Sequence, residues 1–173
     1  MMPVRHRLSA ALLVSLAACT PSLNWRDTRP EESGVRMLFP CRPDRHERTI
    51  RIADAEMRMR MHSCSAAGAV FSLAFVDVAE PARVTPVLVA MRGAAAANLN
   101  GTAAARPWVV PGATPNEKSA LVRVEGRLPD GRLVVEHAAF FVKGLRLYQA
   151  TALGDSLDAD AIETFFGSIT VVP

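Results

Sequence analysis

Two short stretches, residues 49–52 and 57–61, alternate apolar with polar side chains and are separated by Ala53-Asp54-Ala55-Glu56. Alternation with a period of two is typical of a β-strand with one buried face, so this pattern predicts a hairpin. With Ala53 opposite Glu56, the hairpin sorts its side chains onto two faces. One face holds Ile50, Ile52, Met57, Met59 and Met61, and the other holds Arg51, Arg58, Arg60 and His62.

The remaining strand patterns are interrupted by two helical patterns and by a loop at residues 102–116 that is rich in Ala, Pro and Gly. The order of strands, helix, strand meander and helix predicts an α+β fold. It should be mainly an antiparallel β-sheet with two helices packed on it. The further predicted strands are residues 35–39, 71–78, 121–128, 132–142, 145–153 and a short terminal strand at 169–172.

The two predicted helices are delimited by capping and proline signals. Thr85 followed by Pro86 predicts the start of the first helix, because threonine caps helices and proline is tolerated at the first helical position. Apolar residues at helical spacing then give one buried stripe, and the helix should end near residue 98. The second helix should begin after Asp158 and end near Gly167.

The first 18 residues have the composition of an export leader. Residues 1–7 include two arginines, and residues 8–17 form an apolar run that suits a signal peptide and is too short to span a bilayer. Leu-Ala-Ala-Cys at residues 16–19 resembles the lipobox of bacterial lipoproteins. The resemblance implies cleavage before Cys19 and acylation of its sulfur and new amino group. We therefore expect a lipid-anchored envelope protein, with Thr20 favouring the outer membrane facing the periplasm.

This leader defines the expected domain organisation. Residues 1–18 are the signal peptide, residues 19–33 are the lipidated cysteine with a flexible tether, and residues 34–173 are a single α+β domain. The chain has 20 Lys and Arg against 17 Asp and Glu, and Arg5 and Arg7 leave with the leader. The near-neutral remainder gives no case for nucleic-acid binding. No cofactor is expected, and the expected partners are the membrane and an envelope protein.

Cys41 and Cys64 are the cysteines that remain beside Cys19. In an exported protein a disulfide between them is the expected state. A metal site that adds His46 and His62 to this pair is the alternative, although its spacing matches no compact zinc pattern. Strand alternation places Cys64 on the same face as His62. Either a covering segment lies over that face, or a bulge changes the register before Cys64.

A family resemblance rests on packing and turn signals over residues 35–172. These signals resemble the pattern of small uncharacterised bacterial lipoproteins, whose fold is similar to the PsbP-type α/β/α sandwich. The resemblance implies a non-enzymatic binding or assembly factor, and it supplies no shared active site. The matching positions are Phe39-Pro40 with Pro43 after Cys41, the strand at 71–78 leading into a helix, Arg146-Leu147-Tyr148, and Phe165-Phe166-Gly167-Ser168-Ile169.

Met57, Met59 and Met61 form a Met-x-Met-x-Met ladder. Thioethers are soft ligands that suit Cu(I), so a copper-handling lipoprotein is an alternative function. Copper binding would need the ladder to reach solvent, and the hairpin turn favours this at Met57 more than at Met61. The competing interpretation is core packing, because methionine fills irregular cores and the ladder lies on the apolar face.

Two surface features are candidate contacts for a lipid or a partner. Arg51, Arg58, Arg60 and His62 share a strand face and would attract anionic headgroups or an acidic partner near a membrane; a solvated sheet face is the alternative. Trp108 lies in a loop, where it would anchor a partner if exposed or fold back over the core.

Gly154-Asp155-Ser156-Leu157 resembles the signature of the GDSL hydrolases, in which the serine is the nucleophile. In that family the motif follows the first strand, and an Asp-x-x-His block follows near the C-terminus. Here no histidine follows Leu157 and no Asp-x-x-His occurs. A turn before a helix explains the four residues equally well. We therefore expect a binding or assembly module and no enzyme, with the hydrolase as the weakest alternative.

Overall fold

A computed structural model describes residues 22–173, so the predicted signal peptide, Cys19 and Thr20 lie outside the described residues. The described chain forms ten β-strands and two α-helices. In chain order they are β1 (Arg26–Thr28), β2 (Val35–Phe39), β3 (Asp44–Ile52), β4 (Ala55–Ala66), β5 (Ala69–Asp77), α1 (Pro81–Asn98), β6 (Thr102–Pro107), β7 (Ala120–Arg127), β8 (Leu133–Lys143), β9 (Arg146–Gly154), α2 (Ala159–Gly167) and β10 (Thr170–Val171).

The strands form two antiparallel sheets. The large sheet has seven strands in the order β3-β4-β5-β9-β8-β7-β6, and the small sheet has three in the order β1-β2-β10. This architecture confirms the predicted α+β fold with a mainly antiparallel sheet and two helices. Neither helix within residues 22–173 combines the length and apolar character that crossing a membrane requires.

The large sheet buries an apolar core on each of its faces. The helix α1 covers one face, where Leu88 and Met91 belong to the same buried cluster as Phe140 of β8. The small sheet and α2 cover the other face, where the rings of Phe39 and Phe165 meet edge to face with 5.5 Å between centroids. The molecule is therefore layered as helix, sheet, and a mixed layer of sheet and helix.

The predicted hairpin is formed by β3 and β4, but its two-residue turn lies one residue earlier than expected. Ile52 pairs with Ala55, which leaves only Ala53 and Asp54 in the turn, with φ of 48° and 62°. Two positive φ values are typical of the type I′ turn that matches the twist of a hairpin. The expected pairing of Ala53 with Glu56 is therefore wrong. The difference moves each residue two positions along its partner strand, so both predicted faces are retained.

Cys41 and Cys64 form the predicted disulfide, with a Cα–Cα distance of 5.9 Å. The bond removes both thiolates from the alternative zinc site, and residues 22–173 contain no group of three His, Cys, Asp or Glu able to hold a metal ion. The register of β4 with β5 is continuous from Arg60 to Ala66, so no bulge precedes Cys64. The expected covering segment explains its position instead, because Cys64 packs on the core beneath the small sheet.

Residues 24–33, predicted as part of a flexible tether, are packed on the domain. The Asn24 N–H donates to the Pro40 carbonyl at 2.8 Å, and β1 pairs with β2. Ser33 is fully buried, and its carbonyl accepts a hydrogen bond from the Tyr148 hydroxyl at 2.7 Å. The tether prediction is wrong here because a three-residue strand followed by a turn shows no readable period. The packed chain begins at residue 24 and not at residue 34.

The helix α1 begins at Pro81, earlier than the predicted Thr85-Pro86 start. Pro81 occupies the first turn of the helix, where Pro86 was predicted. Pro86 itself lies inside the helix. The predicted end at Asn98 is confirmed. The predicted apolar stripe is also confirmed, since the buried residues of the helix are Val87, Leu88, Met91 and Ala95.

The predicted loop at 102–116 contains an edge strand, β6, which pairs with β7. All six side chains of β6 are exposed, so no alternation marks it in the sequence. The predicted meander appears as β7, β8 and β9. The predicted cap of α2 is also confirmed, because Asp158 Oδ1 accepts a hydrogen bond from the Ala161 N–H at 2.9 Å.

Candidate functional site

A pocket of about 260 Å³ lies between α1 and the large sheet. The helix faces this part of the sheet with Ala94 and Ala95, whose small side chains leave space above the strands. The pocket is open to solvent, and its wall combines apolar side chains with several polar ones. A partly apolar cleft with a few placed polar groups is a candidate small-molecule site. The apolar wall consists of Ile50, Ile52, Met59, Met61 and Met91.

The polar side of the pocket is built around Glu136 on β8. Glu136 lies on the face that β8 otherwise buries with Val134, Ala138 and Phe140, and it is only 7 % exposed. Gln149 on β9 donates from Nε2 to Glu136 Oε1 at 3.5 Å and to Thr151 Oγ1 at 3.2 Å. The bond to Glu136 is long, so the carboxyl group is only weakly satisfied by the protein.

The environment of Glu136 disfavours its charge. Burial raises the pKa of Glu136 from 4.5 to about 7, and the hydrogen bond from Gln149 opposes this rise only in part. No cationic side chain of residues 22–173 contributes to the shift. Arg48 also lines the pocket, but it lies exposed on the edge strand β3. Glu136 is therefore an acid that has lost water without gaining a counter-ion.

The methionine ladder is divided between the core and the pocket. Met57 and Met59 are each 8 % exposed in the cluster beneath α1, which agrees with core packing. Met59 and the half-buried Met61 line the pocket together with Met91 of α1. The expectation that Met57 is the accessible member of the ladder is therefore wrong, because Met57 is buried whereas Met61 is half-buried and lines the pocket.

The predicted basic face is not a free cationic surface. Arg58 pairs with Glu47, and the largely buried Arg60 pairs with Glu32 at 2.9 Å and with Asp77 at 3.5 Å. Glu47 lies on the neighbouring strand β3 of the hairpin, whereas the sequence pattern could not place Glu32 and Asp77 nearby. Ion pairs therefore offset the charges of Arg58 and Arg60, in agreement with the solvated-face alternative, and Arg51 is exposed. The predicted contact with a lipid or partner stays a prediction.

His62 lies on the same face of β4 as Arg60, as predicted, but the segment before β2 covers it. It is 5 % exposed, and its Nε2 lies 3.1 Å from the Glu31 carbonyl oxygen. Its ring stacks on Phe75 with 6.4 Å between centroids. Burial lowers the pKa of His62, so the ring is neutral at physiological pH. His62 therefore contributes packing beneath the segment before β2 and no positive charge.

Trp108 is half-buried and packs against the core beneath the small sheet, which agrees with the folded-back interpretation. The Arg106 guanidinium lies over its ring at 4.8 Å. A second pocket, of about 410 Å³, lies beside Trp108 and Phe141. Within residues 22–173 the Trp108 Nε1–H is buried and has no hydrogen-bond partner. Trp25 is also packed, edge to face on Phe71.

Ser156 of the GDSL-like tetrapeptide lies in an exposed bend between β9 and α2. Its backbone N–H donates to Asp155 Oδ1 at 2.7 Å. The bend leads directly to Asp158, which caps α2. This is the turn before a helix that the sequence interpretation favoured.

The sequence interpretation missed Glu136, although the strand pattern carried a signal for it. The segment Val134-Val135-Glu136-His137-Ala138 places Glu136 on the same side as Val134 and Ala138. A lone acid on the buried side of a central strand is a candidate for function, since it costs stability unless something pairs with it. Gln149 and Thr151 lie beside Glu136 only because of the register of β8 with β9, which the sequence pattern does not give.

Comparisons with protein-family models, curated proteins and solved structures give no significant match to the chain.

Proposed function

We propose that the chain is a lipid-anchored protein of the cell envelope and that its α+β domain is a non-enzymatic binding module. The ligand site is the pocket between α1 and the large sheet. The observation that carries this proposal is Glu136, a buried acid that lines a pocket with an apolar wall of isoleucine and methionine side chains and has no cationic partner. If position 136 served only packing, the folded protein would be more stable with an apolar or amide side chain there.

Native mass spectrometry of the processed protein, purified from the envelope, tests the binding function. We expect a small molecule that leaves on denaturation, or one that binds when envelope extracts are added. The variant Ala94→Leu should no longer carry the small molecule, because the larger side chain would fill the pocket that residue 94 lines. Residue 94 is exposed, so the helix can accommodate the change. Ala97→Leu makes the same change on an exposed position of the same helix and is the matched control.

Equal retention of the small molecule by the two variants would place the ligand elsewhere. Absence of any bound mass before and after exposure to extracts would count against a small-molecule pocket. Cross-linking in the intact envelope would then test the remaining form of the proposal, an assembly module that contacts an envelope protein.

The anchoring part of the proposal is supported by the leader-like residues 1–18 and the Leu-Ala-Ala-Cys sequence that ends at Cys19. Cys19→Ser should leave an unlipidated and uncleaved precursor. The mass of the purified protein and its partition between detergent and water both report this change. Normal acylation of the Cys19→Ser variant would refute the anchor, and fractionation of the wild-type protein tests its expected outer-membrane location.

Copper handling is the second candidate function, and a specific arrangement favours it. Met59, Met61 and Met91 line the same pocket as Glu136, so three thioethers and a carboxylate share one cavity. Soft thioethers select Cu(I). Under this alternative, Cu(I) affinity measured by chelator competition falls when Met61 and Met91 become leucine. Met57→Leu is the control, because Met57 packs in the core beneath α1.

A further inference from the structure

We propose that the pocket beneath α1 selects a small organic cation, a protonated amine on a short apolar body, with Glu136 as its counter-ion. This inference rests on the proposed binding function and names the chemical class of the ligand. Three features of the described residues carry it: the unpaired buried carboxylate, the apolar wall, and the position of the only arginine that lines the pocket.

The carboxylate of Glu136 is the first feature. Glu136 is only 7 % exposed, and its hydrogen bond from Gln149 is 3.5 Å long. A buried carboxylate needs a cation or several donors to be stable in its charged form. An ammonium group supplies both, since it carries positive charge and up to three N–H donors. Gln149 shares its Nε2 group between Glu136 and Thr151, so it satisfies the carboxyl group only in part.

The apolar wall is the second feature. Met59, Met61 and Met91 present flexible, polarisable side chains that adapt to an alkyl or aromatic body. The volume of about 260 Å³ lies just below the range of about 300–1,000 Å³ that is typical for drug-sized ligands. The ligand is therefore small, with a single charged end and an apolar end of a few carbons.

The placement of Arg48 is the third feature. Arg48 lies on the edge strand β3 and is exposed, and it does not contribute to the pKa of Glu136. A simple anion entering the pocket would therefore meet the buried Glu136 carboxylate, whose charge Arg48 at the exposed sheet edge does not offset. A hard divalent metal also finds too few ligands, since residues 22–173 hold no cluster of three His, Cys, Asp or Glu. An organic monocation avoids both problems, because it can pair with the carboxylate and does not need several protein ligands.

Isothermal titration of hexylamine and of hexanol into the processed protein in detergent micelles tests the inference. The two probes share one apolar body and differ in charge, and Ala94→Leu protein in the same micelles corrects for partition into detergent. We expect hexylamine to bind about tenfold more tightly than hexanol or better, because a hydrogen bond to a charged group is stronger than one between neutral groups.

Glu136→Gln should bring the two affinities to within about threefold of each other, because the amide keeps the shape and loses the charge. Glu163→Gln, an exposed acid on α2, should keep the wild-type preference. The comparison of the two probes in wild-type protein stands even if Glu136→Gln does not fold.

The outcomes separate this inference from the function on which it rests. Equal affinity for hexanol and hexylamine, both lost in Ala94→Leu, leaves the binding module intact and overturns the selection of a cation. An amine preference that survives Glu136→Gln also overturns the assignment of Glu136. Failure of both probes to bind the wild-type protein counts against the pocket as a ligand site and thus against both proposals.

Discussion

At the scale of single residues, Glu136 links the chemistry of the pocket to the stability of the fold. Burial raises its pKa from 4.5 to about 7. Between these pH values the folded protein keeps a proton that the unfolded chain has released, so the free energy of unfolding falls as the pH rises. Above about pH 7 the full destabilisation is present, at roughly 3 kcal/mol.

We expect Glu136→Gln to remove this pH dependence. At pH 8 the free energy of unfolding of the variant should exceed that of the wild type by up to roughly 3 kcal/mol. At pH 5 the difference should shrink to roughly 1 kcal/mol or less, because the wild-type carboxyl is then protonated in the folded state. Urea denaturation at both pH values measures it. Glu163→Gln is the control, and an unchanged pH profile in Glu136→Gln would show that the pKa of Glu136 is not raised.

Sequence reasoning reached some of the residues around the pocket and not others. Alternation assigned Met59 and Met61 to the correct face, because a strand fixes side-chain direction locally. Gln149 meets Glu136 only through the pairing of β8 with β9, and Met91 joins the same pocket only through the docking of α1. Local pattern carries no information on such contacts between distant parts of the chain.

At the scale of elements, the segment between β6 and β7 holds the C-terminal strand by close backbone contact. The Val171 N–H donates to the Pro111 carbonyl at 2.9 Å. Gly112 has a φ of +78°, and a Cβ added there would lie 2.2 Å from the Val171 carbonyl oxygen. Gly131 has a φ of +86° and no atom within 4 Å of its added Cβ. Comparing the same substitution at these two glycines therefore distinguishes the cost of backbone strain from the cost of a steric clash.

We expect Gly131→Ala to lower the free energy of unfolding by roughly 1–2 kcal/mol, from the left-handed backbone alone. Gly112→Ala should cost at least about 1 kcal/mol more, because the segment must also move away from β10. Thermal or urea denaturation of both variants compares them. Equal losses would show that the backbone contact between Gly112 and Val171 does not constrain the fold.

The packing of the segment before β2 is tested by Tyr148→Phe. The Tyr148 hydroxyl donates to the Ser33 carbonyl, whereas its ring stacks on Phe141 at 4.7 Å and that contact is kept by phenylalanine. We expect a loss of about 1 kcal/mol in the free energy of unfolding, from one buried hydrogen bond. Wild-type stability in Tyr148→Phe would argue that residues 24–33 do not pack as described.

The elements that the sequence predicted well have clear periods and turn residues. The β7 to β9 meander, the hairpin faces and the Asp158 cap belong to this group. The edge strand β6 was missed because its side chains are all exposed, and β1 because it has three residues. Pairing with a neighbouring strand, and not local pattern, makes these two segments strands.

At the scale of the whole molecule, the Cys41–Cys64 bond joins the end of the small sheet to the large sheet across 23 positions of sequence. Replacing both cysteines by serine should lower the free energy of unfolding by roughly 3 kcal/mol, chiefly because the unfolded chain regains conformational freedom. Urea denaturation measures this loss, and the wild type in a reducing agent should show nearly the same midpoint. Equal midpoints for the oxidised wild type and the variant would contradict a stabilising bond.

The layered arrangement itself was only partly accessible from the sequence. The order of elements predicts helices on an antiparallel sheet, since amphipathic elements must bury one side. The order does not show that a small sheet joins α2 on the second face, because β1, β2 and β10 come from opposite ends of the described chain. This long-range closure also conceals His62 and supplies the acidic partner Glu32 for Arg60.

The early start of the packed chain has a geometric consequence. Asn24 is already bonded to Pro40, and only four residues separate it from Cys19. Fully stretched, this connection reaches at most about 18 Å. With acyl chains on Cys19, as proposed, so short a connection would keep one side of the domain close to the lipid headgroups while still allowing the domain to rotate. Its ligands would then be captured from the thin water layer that lines the bilayer.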